Sequence, residues 1–258
     1  MTSASKPAAA LLLRAERAAL LESQAPSAAG PLRFAAALFR AQARAADALW
    51  DAPLTGSLEA DASALLEPAR ALLLAIEESG PLPLAQAARE RRSESVERFV
   101  ARLQVHWRGD LADYLSRAIL RPYAATLAAR ALPPDRPRSP QGCPFCGGPP
   151  AVAVRRPESD STRRLLCCAL CGGEWQVNRI HCPSCGEEDP VKLPHYQSEA
   201  HPFARIEACE TCRRYLKSID LSSDGRLVPD VDDLCSIALD LWAAEQGFSR
   251  IEPGLVGI

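Results

Sequence analysis

Cys143-Pro144-Phe145-Cys146-Gly147 and Cys182-Pro183-Ser184-Cys185-Gly186 are the two stretches on which the reading of this 258-residue chain turns. Each is a Cys-x-x-Cys pair with Pro inside it and Gly after it. Such a tight turn points two sulfurs and several backbone N–H groups at one ion, and the Gly accepts the positive φ that follows. Two further pairs, Cys168 with Cys171 and Cys209 with Cys212, bring the paired cysteines to eight of ten. The second repeats the Gly as Gly172, whereas the fourth carries Arg213 in that place.

Two such knuckles complete one tetrahedral four-thiolate site. Twenty-one residues separate Cys146 from Cys168 and 23 separate Cys185 from Cys209, so the near-equal gaps suggest a duplicated unit. The simplest pairing joins the first knuckle to the second and the third to the fourth, and other pairings remain open. Thiolate tetrahedra suit zinc and a single iron alike. The structural reading of the knuckles is that the ions staple modules too small to fold on a hydrophobic core. A thioredoxin-like redox reading fails because no pair sits between a strand and a helical pattern. Cys167 adjoins a ligand and points to the opposite face of its strand, as a packed or free thiol, and Cys235 behaves as a small hydrophobe.

Outward from the knuckles the chain divides by composition. All ten cysteines lie between 143 and 235. The part up to about residue 135 is rich in Ala, Leu and Arg, which favours helix. Its apolar residues step by three or four: Leu32, Ala36, Phe39, Ala43, Ala46 and Trp50; Val96, Phe99, Leu103 and Trp107; Leu111, Leu115 and Ile119. About five helices are expected, with Asp110 able to cap the last and Pro122 to kink or end it. His106 beside Trp107 reads as a packed or solvated side chain. Leu132 to Pro140, with four prolines, reads as a linker. Short strands are expected at 152–154, 163–168, 175–180 and 215–219. A final helix should bury Val231, Leu234, Cys235, Ala238, Leu241 and Trp242, with Asp230, Asp232 and Asp233 at the positive end of its dipole. A carboxylate metal or catalytic site is the competing reading of those three.

Bulk properties narrow the function. Apolar residues are 47% and charged residues 24% of the chain, an ordinary globular mix. A formal charge of -2 disfavours a bulk polyanion binder. No apolar run nears the 18 or so residues of a membrane span, so no membrane insertion is expected. Ala8 to Leu13 is short and meets Arg14, Glu16 and Arg17, too charged for a secretory core, and the expected location is the cytoplasm. Residues 137–181 carry 6 Lys/Arg against 3 Asp/Glu, and 182–258 carry 7 against 14, a segregation able to orient a partner.

These residues in order resemble a known family. Cys-Pro-Phe-Cys-Gly-Gly-x-Pro at 143–150, Leu-x-Cys-x-x-Cys-Gly-x-Glu-Trp around 166–175, Arg179-x-x-Cys182-x-x-Cys185, Cys209-x-x-Cys212-x-x-Tyr-Leu-Lys, Asp232-Asp-Leu, Leu239-Asp240-Leu and Gly247-Phe-Ser-Arg are similar to the formate dehydrogenase accessory protein FdhE family. Leu32-Arg-Phe and Ser116-Arg-Ala-Ile-Leu-Arg-Pro-Tyr look like its helical segments. Cys167, His181 and Arg213 depart from the pattern. The resemblance implies an α+β chain: an α-helical domain (1–136), a first rubredoxin-like, or zinc-ribbon-like, four-cysteine module (137–181), and a second such module with a C-terminal helix (182–258). It implies two iron or zinc ions, held by Cys143, Cys146, Cys168 and Cys171 and by Cys182, Cys185, Cys209 and Cys212. It further implies a cytoplasmic, non-enzymatic maturation factor that binds the catalytic subunit of respiratory formate dehydrogenase before export. A nucleic-acid-binding zinc ribbon is the alternative, resting on Arg155, Arg156, Arg163 and Arg164. An electron-carrying redox enzyme is the third reading, and no nucleophile with a plausible base is visible for other chemistry.

Overall fold

A computed structural model describes residues 6–110, 113–159 and 162–254. Among the described residues six α-helices precede the first cysteine, one more than the sequence suggested: α1 (Pro7–Gln24), α2 (Ala29–Trp50), α3 (Leu58–Ser79), α4 (Leu82–Arg92), α5 (Val96–Arg108) and α6 (Tyr114–Ala129). The additional one comes from a break at Ser93-Glu94-Ser95, which divides the stretch from Pro83 to Arg108 into α4 and α5. The buried Ala8, Leu11, Ala15, Ala18 and Leu21 of α1 pack on α2. Helix α2 is buried on two faces. Leu32, Ala36, Phe39, Ala43 and Ala46 meet α1, while Phe34, Leu38, Ala41, Ala45 and Leu49 join the core of α3, α5 and α6. A helix apolar nearly all round is a central helix, which a single stripe under-describes.

Pro122 neither ends nor starts a helix: α6 runs through it to Ala129. Proline has no N–H to give to the Ala118 carbonyl one turn back. The buried Gln42 side chain of α2 donates to that carbonyl instead, at 2.9 Å. Asp113 rather than Asp110 caps α6, accepting from Ser116 N. Leu111, expected on this stripe, lies outside the described residues.

The proline-rich stretch from 132 to 140 has neither helix nor strand, yet it is strapped down rather than loose. Asp135 Oδ1 accepts from Leu58 N at the start of α3 and from Trp107 Nε1 of α5, at 3.3 and 3.1 Å. Arg136 donates to the Cys146 carbonyl at 2.9 Å.

Beyond it lie β1 (Pro150–Pro157), β2 (Thr162–Cys168), β3 (Glu174–Gln176), β4 (His195–Gln197), β5 (Ala204–Cys209) and β6 (Arg214–Asp220). A short helix α7 (Pro229–Asp232), a 3-10 turn, α8 (Ile237–Glu245) and β7 (Ser249–Arg250) follow. The two cysteine-rich repeats do not form separate sheets. Strand β1 pairs parallel with β6, giving one seven-stranded sheet in the order β3-β2-β1-β6-β5-β4 with β7 also on β6. Alternation sorts its faces. Val152, Val154, Ala204, Ile206, Tyr215 and Ile219 face the C-terminal segment with Leu239, Ala243 and Phe248. Arg155, Arg164, Arg205, Glu207 and Cys209 alternate to the other side. In the final segment Leu241, placed by periodicity on the apolar face, is instead 54% exposed. The turn between α7 and α8 rotates the stripe out of register.

Candidate metal centres

The four knuckles share one turn. Gly147 N donates to Cys143 O, Gly172 N to Cys168 O, Gly186 N to Cys182 O and Arg213 N to Cys209 O, at 2.8 to 3.1 Å. The three glycines have φ of +69°, +72° and +80°, and Arg213 takes +55°. An L side chain there costs about 1–2 kcal/mol. Arg213 recovers it through its guanidinium, which lies 3.8 Å from the Phe248 ring centre and donates to Gln246 O at 2.5 Å.

These turns bring Cys143, Cys146, Cys168 and Cys171 together, and separately Cys182, Cys185, Cys209 and Cys212; within each group the sulfurs all lie within 4.8 Å of one another. Across the knuckles the sulfurs are 3.7 Å (Cys143 to Cys171), 3.4 Å (Cys146 to Cys168), 3.8 Å (Cys182 to Cys212) and 3.7 Å (Cys185 to Cys209) apart. A disulfide would need about 2.05 Å. Metal–sulfur bonds of about 2.3 Å imply a tetrahedral edge near 3.8 Å. The spacing therefore fits four thiolates around one ion, and all ten cysteines are free thiols. Backbone N–H groups aim at the sulfurs, from Leu170 and Cys171 to Cys168, Gly173 to Cys171 and Ser184 to Cys182, at 3.4 to 3.5 Å. Burial pushes the Cys182 thiol up, so its thiolate needs a cation beside it.

The two groups differ in surroundings, which spacing does not reveal. All four cysteines of the first are buried and belong to the same cluster as Leu103, Trp107 and Leu115 of the helical domain. In the second, Cys185 is exposed and Cys212 half-buried. Gly148 seals the first group: a Cβ on it would lie 2.9 Å from Cys168 Sγ and 3.3 Å from Cys146 Sγ.

The remaining cysteines stay apart. Cys167 packs beside Val152 on the opposite face of the sheet, and burial pushes its thiol up to about 12. Cys235 packs against the α1–α2 cluster, its thiol raised by burial to about 11. His106 accepts from Asp113 N at 3.2 Å.

The three aspartates lie in the first turns of α7 and of the 3-10 turn after it, at the helical N-terminus where the sequence placed them, and each is also held in ion pairs. Asp230 meets Arg14 (2.9 Å) and Arg121, Asp232 meets Arg17 (2.5 Å), and Asp233 meets Lys217 and Arg250 (2.9 Å each). Asp240 joins Lys217 and Arg250 as well. Burial alone would raise Asp230, but Arg14 and Arg121 hold its carboxyl well below the usual range. These cations were missed in the sequence. Their signal was Arg121 on a largely apolar α6, and Lys217 inside an apolar strand. The pairing also changes the meaning of the charge segregation. Asp230, Asp232, Asp233 and Asp240 are buried and Glu207 is half-buried, and all five of these, out of the fourteen acids in 182–258, are ion-paired, so the count of -7 is not a surface field.

Comparison with known proteins covers both centres. Residues 142–179 match the family model for the FdhE central domain, and residues 180–256 that for the FdhE C-terminal domain. A protein named as an FdhE homolog from Aquifex aeolicus is 38% identical over 116 residues, 45% of this chain and 41% of that one. One from Pseudomonas aeruginosa is 36% identical over 119 residues, 44% and 38% of the two chains. The matched part thus spans about two fifths of these relatives' length. The crystal structure of the Pseudomonas aeruginosa FdhE protein aligns over 98% of this chain and 96% of that one, with a TM-score of 0.71 at 24% identity. For the helical half the likeness is one of fold. With both four-cysteine groups inside the matched residues, 142–256 carry the central and C-terminal domains of the FdhE family.

Proposed function

We propose that this chain is a cytoplasmic accessory factor that binds the catalytic subunit of a respiratory formate dehydrogenase and is needed for its assembly before export. The observation that carries the reading is the family match running through both four-cysteine groups. Cys143, Cys146, Cys168 and Cys171 would hold one iron or zinc ion, and Cys182, Cys185, Cys209 and Cys212 the other. A closed four-thiolate site supplies folding energy, and with iron it also supplies a one-electron couple. The chain itself turns over no formate. Consistent with that, its buried carboxylates on α7 and α8 are committed to ion pairs. The functional units are the helical domain (1–136) and the two modules (137–181 and 182–258). No helix among the described residues is long and apolar enough to cross a membrane.

The nucleic-acid alternative gains little from its arginines. Arg155, Arg156, Arg163 and Arg164 each pair with a carboxylate: Asp220, Glu174, Glu158 and Glu207. A pull-down with tagged protein from formate-respiring cells tests the proposal. The dehydrogenase catalytic subunit should be captured, and deletion should abolish respiratory formate oxidation while the subunit is still synthesised. Capture of ribosomal or nucleic-acid partners without the dehydrogenase would overturn it.

A further inference from the structure

Strand alternation that sends Val154 and Ile206 toward α8 sends Arg155 of β1, Arg164 of β2 and Arg205 of β5 to the other face of the sheet. There they line an open cavity of about 430 Å³, to which Arg179 and His195 also contribute. This is the size range of small-ligand sites. Neither centre's cysteines line it.

The charge on its walls is not balanced. Glu207 fixes two of the arginines, lying 2.8 Å from both Arg164 and Arg205, and Arg164 also donates to Asn178 O at 3.0 Å. Among the described residues the Arg155 side chain pairs with Asp220 alone, at 3.3 Å, and its buried Nε and Nη2 make no hydrogen bond. Burial and then the neighbouring Arg205 lower its pKa in spite of Asp220. Arg179 is exposed and touches the Thr162 hydroxyl at 3.4 Å. Among the described residues, four guanidiniums thus face two carboxylates.

We propose that this cavity binds the phosphate group of a small molecule. Arg155 and Arg179 supply the uncommitted donors, and Arg164 and Arg205, held by Glu207, form fixed walls. An excess of two positive charges matches a phosphate dianion, whose tetrahedral oxygens can take donors from several strands at once. A polymer is disfavoured by the placement of the other two arginines of β1 and β2. Arg156 and Arg163 alternate to the opposite face of the sheet, where they pair with Glu174 and Glu158, so they add no basic stripe to the cavity. The inference stands on the cavity and is independent of the maturation reading.

Calorimetric titration of the metal-loaded full-length protein with inorganic phosphate tests it. Saturable one-site binding is expected, weakened at least tenfold by Arg179→Ala and by Arg155→Gln and unchanged by Arg156→Ala. Arg179 is exposed, so its variant should keep the parent's thermal midpoint and remain informative even if Arg155→Gln does not fold. Absence of saturable binding, or equal loss in Arg156→Ala, would overturn the proposal. So would Arg179-dependent binding of an aspartate-rich peptide or a single-stranded oligonucleotide where phosphate does not bind.

Discussion

Gly148 shows how closely backbone approaches sulfur in the first centre. Any Cβ there intrudes to 2.9 Å on Cys168 Sγ and 3.3 Å on Cys146 Sγ, so the four-sulfur group must open to admit it. Gly148→Ala should therefore cost one of two bound ions, whereas Gly30→Ala, with nothing within 4 Å of its new Cβ, should cost none. Metal analysis of the two purified variants checks this. At this scale the grouping of the eight paired cysteines could be read from spacing, because a knuckle needs its two sulfurs three residues apart; the Gly after them marks three of the four, and Arg213 takes its place in the last. Solvent exposure could not be read. Cys146 and Cys185 hold equivalent places in their repeats, and what separates them is whether the helical domain packs over them, a long-range fact absent from the local pattern.

At the scale of elements, the ion pairs of α7 tie it to the first and sixth helices. Arg14 of α1, Arg121 of α6 and Asp230 of α7 meet although more than 100 residues separate each arginine from the aspartate. Asp230→Asn leaves two cations facing a neutral amide in a buried place, and should destabilise the protein by about 3–5 kcal/mol. Because the Asp230 carboxyl is depressed in the fold, its contribution is complete above the ordinary carboxylate value of about 4 and fades as pH falls below it. Denaturant unfolding should thus show a parent–variant gap that is constant above about pH 4 and narrows below it. A gap that widens in acid would contradict the assignment. Apolar periodicity located α2, α5 and α6 well, since their buried faces repeat at helical spacing. It failed for β4, only three residues long, and for β5, where small Ala204 and Ala208 give the alternation little hydrophobic contrast. It also failed at Pro122, where the compensating donor, Gln42, is 76 positions away from the carbonyl it serves.

Across the whole molecule, the parallel pairing of β1 with β6 joins two repeats into one sheet, and the first four-cysteine group lies inside the helical core. If the ions only stapled small modules, as the knuckle pattern suggests, loss of either would destabilise its own module far more than the helical domain. The packing changes this for the first centre. Cys143→Ser should lower the thermal midpoint of the helical circular dichroism signal, while Cys185→Ser should leave that midpoint nearly in place and remove one ion. Equal effects of the two substitutions would refute the asymmetry. Burial also sets the order in which a chelator reaches the metal, since Cys185 and Cys212 admit solvent and the first group does not. The most direct measurement is elemental analysis of anaerobically purified full-length protein before and after brief exposure to a chelator. Two ions per chain at the start and one after exposure are predicted; a single ion at the start, or loss of both at the same rate, would contradict two four-thiolate centres of unequal access.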